Sequence, residues 1–184
     1  MTVNANNSIV VGIFEGFSWI RSEGKGSFMN SPAMKAFGDS RIEDGETCVV
    51  VDLGGCTGMD STFMGTLAGM AARVSSNGGG VLQVADVSDR NRRSLEDLGL
   101  DFLMEIDPPE TLWRDHLDEI RGVLQTPPPA ERIGDLERTK LVLEAHKKLA
   151  DVNQENAKTF KNVVSLMEKE VEAKEAKQDQ SSES

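Results

Sequence analysis

The sequence is poor in the residues that build cofactor, metal and disulfide sites. Its 184 residues include two cysteines, two histidines and no tyrosine, and aromatic residues make up only 5%. Cys48 and Cys56 are too few and too inward-looking for a disulfide framework or a zinc site, and they read as reduced core residues. His116 has no second histidine, cysteine or carboxylate at ligand spacing, so it reads as a helix-surface residue, and no metal or cofactor is expected. Long apolar runs are missing too. No stretch approaches the roughly 18 consecutive apolar residues of a membrane span, and Met1–Ser8 has no charged start leading into an apolar run. Neither span nor export signal is expected, and the expected compartment is the cytoplasm. Basic residues are outnumbered 31 to 20, for a net charge of −11. That balance repels nucleic acid and anionic membrane surfaces, which leaves proteins as the expected partners.

What is present is arranged around Val49–Leu67. Val49, Val50 and Val51 form an unbroken β-branched run, which suits a strand covered on both faces and therefore central in its sheet. Gly54, Gly55 and Gly58 then break the pattern, and apolar residues return at helical spacing as Phe63, Leu67, Met70 and Val74. Asp60, Ser61 and Thr62 stand at the joint, where such side chains cap the free N–H groups of a first helical turn.

Upstream, Ile9–Phe14 and Phe17–Arg21 flank Glu15-Gly16 and read as a hairpin. Ser22–Ser27 reads as a turn, since its Gly-Lys-Gly lacks the order of a phosphate-binding loop. A helix is expected over Asn30–Phe37, with Pro32 at its start and its end near Gly38. Downstream, Val81–Val84 is a second buried strand joined by a parallel crossover. Ser88 caps a short helix that Gly99 stops, and Leu103–Ile106 is an edge strand. Asp107 with Pro108 and Glu110 has the signature of a helix start, with Trp113, Leu117, Ile120 and Leu124 facing the sheet.

The prolines at 127, 128 and 129 form a spacer. Beyond it, residues 130–177 are rich in Glu, Lys, Leu and Ala and predict a helical extension. Ala157, Phe160, Val164, Met167 and Val171 give a coiled-coil-like seam, with an impure register upstream at His146 and Asn153. Residues 178–184 are polar and predict a disordered tail. Residues 1–129 hold 19 acids and 10 bases against 12 and 10 in 130–184. That asymmetry agrees with a domain over 1–126 and an appended unit. The fold class is therefore α/β, with a mixed sheet of four to five strands, helices mainly on one face and a long C-terminal helical extension.

The run Met59-Asp60-Ser61-Thr62-Phe63-Met64-Gly65-Thr66-Leu67, after a strand ending in Asp-Leu, resembles the core motif of STAS domains, the anti-sigma-factor antagonist family. Gly79–Val84 resembles that family's next strand, and Asn91–Leu100 its next helix and closing turn. The likeness covers residues 8–125. Phe63 departs from the pattern, standing where the family usually has glycine, which makes the helix start bulkier and alters the partner surface. The resemblance implies a non-enzymatic signalling module that binds an anti-sigma-factor-like serine kinase, is reset by a phosphatase, and is switched by phosphorylation of a loop serine. By motif position that serine is Ser61, with Thr62 as second choice.

Partner contacts are expected from Asp60, Phe63, Met64, Gly65, Ala68 and Ala72, since Gly65, Ala68, Gly69 and Ala72 give one side of the helix little bulk. A second reading keeps the fold as a scaffold or regulatory subunit of a larger complex such as a transporter, with the C-terminal helix driving assembly, including self-association. An enzyme using Ser61 as nucleophile is set aside, because no base is near it in sequence and neither His116 nor His146 has a triad context.

Overall fold

The computed structural model describes residues 7–129 and 131–183. The chain opens with β1 (Ser8–Phe14) and β2 (Phe17–Gly26), followed by α1 (Ser31–Glu43), β3 (Cys48–Asp52), β4 (Cys56–Met59), α2 (Ser61–Ser76), β5 (Val81–Ala85), α3 (Asp89–Asp97) and the two-residue β6 (Glu105–Ile106). It closes with α4 (Leu117–Val123), α5 (Asp135–Val152) and α6 (Gln154–Ser182). Among the described residues the sheet has six strands in the order β1-β2-β3-β5-β6, with β4 paired to β2 beyond the end of β3. The β1–β2 hairpin is antiparallel and the other pairings are parallel.

β3 is central, as its β-branched run predicts. Val49, Val50 and Val51 are all fully buried. Val49 and Val51 join the larger core with Ile20, Leu82 and Val84, beneath the helix stripe Phe63, Leu67, Met70 and Val74. Val50 points the other way, into a smaller cluster with Phe17, Trp19, Ala85, Trp113 and Ile120. A two-sided strand needs apolar residues at every position, which is why no alternation appears in it. The larger face carries α1 and α2, and α4 closes the smaller one.

Several local expectations are corrected, among them the edge strand, which covers only Glu105–Ile106 and not Leu103 or Met104. Ser22–Ser27 is not a turn up to Gly26: β2 continues, because β4, unmarked in the sequence, offers it a partner through Gly24, Lys25 and Gly26. α1 does not stop near Gly38 but runs on to Glu43. There glycine permits a helix crossing, since a Cβ would lie 3.0 Å from Met70 Sδ. Asp107 does not cap a helix either. It adopts φ 46° and accepts N–H bonds from Asp86 at 2.7 Å and Val87 at 3.0 Å, so the following helix starts only at Leu117. Finally, the C-terminal helix is interrupted at Asn153, whose backbone is extended and whose side chain accepts from Asn156 N–H at 2.7 Å to start α6.

α6 therefore folds back antiparallel on α5. Lys147 pairs with Glu168 and Lys140 with Glu175, each at 3.0 Å, and Lys174 with Asp135 at 2.8 Å. Of the seam, Val171 is buried, Phe160, Val164 and Met167 are half-buried, and Ala157 is exposed. α6 stays helical to Ser182, past the start of the predicted tail at Gln178; Ala130 and Ser184 lie outside the described residues. Among the described residues no helix is long and apolar enough to cross a membrane.

Candidate functional site

The site grows from the loop that ends β4. Asp60 N–H donates to Gly26 C=O at 2.9 Å, which brings the loop against the end of β2. One Asp60 carboxylate oxygen accepts from Phe63 N–H at 2.8 Å and caps α2, while the other accepts from Phe28 N–H at 2.9 Å. A single cap thus satisfies one orphan donor of α2 and fastens the loop before α1 beside it. Next to Asp60, Phe28 and Met29 are exposed.

Ser61 takes the first helical position and is half-buried. Its Oγ lies 2.9 Å from Nε2 of His146, a residue of α5 that is 6% exposed. The opposite ring nitrogen, Nδ1, lies 2.7 Å from the carbonyl oxygen of Val142. A carbonyl only accepts, so Nδ1 carries the proton; in the neutral ring Nε2 is then the acceptor and the Ser61 hydroxyl donates to it. Phe160 of α6 packs on the imidazole at 5.7 Å between ring centroids.

The remaining predicted contact residues separate by depth. Phe63 is fully buried and faces Gly26, where a Cβ would come within 2.9 Å of its ring. The bulk at this position is thus absorbed inward. Thr62 and Ala68 are buried as well, Met64 is half-buried, and Ala72 is exposed. Gly65 is buried beneath α5: a Cβ there would fall onto the Ala145 carbonyl, 2.6 Å from its carbon. One turn on, a Cβ at Gly69 would lie 3.6 Å from Cγ of Lys148. The small-residue side expected to receive a partner is here approached by the chain's own α5. Leu149, fully buried, extends α5 into the main core.

Sequence reasoning missed His146, which lies 85 positions from Ser61. The one signal was its place between Ala145 and Leu149, a small and an apolar residue four apart on a helix.

A second cluster lies at the ends of β3 and β5. Asp52 is fully buried and accepts two bonds at 2.9 Å from Arg121 of α4, one at 2.8 Å from Arg21, and one at 2.9 Å from Gly54 N–H. Burial alone would raise its carboxyl pKa, but the bonds from Arg121 and Arg21, helped by Gly54 N–H, hold it below the usual carboxylate value. Arg121 also reaches Asp86 at 2.7 Å, so the node ties α4 to two strand ends. At the other end of β3 lies Cys48. Burial first, then the charges of Glu46 and Glu105, push the Cys48 thiol up to about 11.

Residues 20–105 match the family model for "Mlab, STAS domain". No curated protein matches the chain. Among solved structures, a candidate anti-sigma factor antagonist from Thermotoga maritima is 19% identical with a TM-score of 0.50, over 60% of this chain and 92% of that one. An anti-sigma factor antagonist from Mycobacterium paratuberculosis is 23% identical with a TM-score of 0.50, over 65% of this chain and 99% of that one. At these identities the likeness is one of fold.

Proposed function

We propose, for a chain that carries a STAS domain over residues 20–105, that it works as an anti-sigma-factor antagonist. In this reading it binds an anti-sigma-type serine kinase along α2, is released when Ser61 is phosphorylated, and is returned by a phosphatase. The observation that carries the reading is the placement of Ser61: a half-exposed hydroxyl at the first position of a 16-residue helix, beside the capping Asp60. A helix N-terminus tolerates added negative charge, so a phosphate there need not unfold the domain. It would add about −1.5 to −2 charge next to Asp60, at the rim of the small-residue side of α2. Burying that charge unpaired in an interface costs far more than a surface contact returns.

Two measurements test this. Intact-mass analysis of the protein from its native cells should find one added phosphate, mapped to Ser61 or, failing that, Thr62. In titrations against the isolated cognate kinase, Ser61→Ala should bind and Ser61→Asp should bind at least tenfold more weakly. Equal affinities would remove the switch. A second reading is favoured by the engagement of Ser61 with His146: a scaffold or regulatory subunit that docks through its STAS fold with no phosphate involved. Equal binding of both variants to a partner recovered with the protein would support it.

A further inference from the structure

The small-residue side of α2 already has an occupant. Gly65 meets the Ala145 carbonyl, Gly69 meets the Lys148 side chain, Leu149 fills the core beside them, and His146 takes the Ser61 hydroxyl. Backbone-to-backbone approach of this kind requires glycine on one helix and a small residue opposite. The surface is therefore shaped for a helix. The helix must bring a small residue to Gly65, an apolar one to the pocket four positions on, and a hydrogen-bond acceptor to Ser61.

We propose that this side of α2 is a helix-accepting groove and that α5 is its resident, exchangeable occupant, which a partner's amphipathic helix of the same pattern replaces. The proposal rests on the reading of α2 as the partner-binding element and adds what kind of partner fits and what it must displace.

Three features make α5 able to leave. It follows the bridge of Gln125 to Val11 through a segment with three consecutive prolines that, among the described residues of 126–134, holds no helix or strand. It carries its own packing surface with it, since α6 and the pairs Lys147–Glu168, Lys140–Glu175 and Lys174–Asp135 hold the two helices together. The shared fold also needs only part of this chain: the Thermotoga and Mycobacterium structures span 92% and 99% of their own chains while matching 60% and 65% of this one. The corner of the hairpin is held by Asn156 Nδ2, which donates to Leu98 C=O at 2.9 Å, and by Val152 and Phe160, which pack against the main core; a displacing helix has to offset these contacts. With α5 seated, the half-buried Ser61 hydroxyl is engaged by His146.

The test uses the full chain and one probe, a fluorescent synthetic peptide of residues 135–183. Ala145→Glu with Leu149→Glu unseats α5 but leaves the groove on α2 intact. This variant should bind the peptide at least tenfold more tightly than the wild-type chain, and adding Gly65→Leu should abolish that binding. Equal affinities, including no binding to either, would overturn the proposal. Circular dichroism reports whether the double variant folds. If it does not, Gly69→Cys with Lys148→Cys puts the same question to an unaltered core: the reduced protein should take up the peptide and the oxidised one should not, and equal uptake, zero included, is again fatal. No kinase or phosphate enters the assay, so failure of the Ser61→Ala and Ser61→Asp comparison would leave its result standing.

Discussion

The residue that best shows what spacing cannot reveal is Asp52. In the sequence it is one acid at the end of a valine run. In the fold it is a buried carboxylate held by Arg21, 31 positions away, and Arg121, 69 positions away. A pairing of that range has no local signature, whereas Asp60, three residues from the N–H it caps, does. Replacing Arg121 by alanine leaves the buried charge half-paired and should cost about 3 kcal/mol, measured by urea unfolding at neutral pH. The pH dependence follows from the lowered pKa of Asp52 in the folded protein. Its contribution is complete above the unfolded value of about 3.9 and is lost as pH falls through the lower folded value. Wild-type stability should therefore drop below about pH 4 more steeply than that of Asp52→Asn. Parallel curves would show that the carboxylate is not what acid attacks.

At the scale of elements, periodicity was readable and partners were not. The hairpin, the central strand, the stripe of α2, the Ser88 cap and the Gly99 stop all follow from relations between residues no more than about four apart, within which local physics decides. Glycines were harder to read, because one residue type serves opposite ends. Gly99, at φ 70°, ends a helical segment, but Gly38 lies inside one to let α1 cross Met70, and Gly65 lies inside one to let α5 approach. The candidate docking side was legible as a strip of small residues, but which helix covers it was not, since α5 lies beyond the proline spacer. The break at Asn153 showed only as an impurity in the heptads. Its role is now a cap, so Asn153→Ala should cost about 1 kcal/mol. The loss should appear as faster amide exchange in the first turn of α6 while α2 and β3 are unchanged. Protection lost equally everywhere would mean that the hairpin does not open by itself.

For the whole molecule, the question is whether the hairpin belongs to the domain or rides on it. Composition and charge divide the chain near the prolines, and the resemblance to STAS domains stops there. Leu149, however, is fully buried in the main core, and α5 lies across the element that carries Ser61. These facts agree if the domain is complete in its backbone pairing but leaves one apolar groove that the hairpin covers. Among the described residues the strand pairings and the α1 and α2 stripes lie within residues 8–125, so a chain ending at residue 129 should keep a cooperative unfolding transition. It should unfold at lower denaturant and bind a hydrophobic dye that the full chain excludes, because the groove around Gly65 and Leu67 loses its cover. Its urea m-value should fall with the area no longer buried. If the transition broadens or disappears instead, Leu149 and its neighbours are part of the folding unit, and α5 could not leave the groove without unfolding the domain.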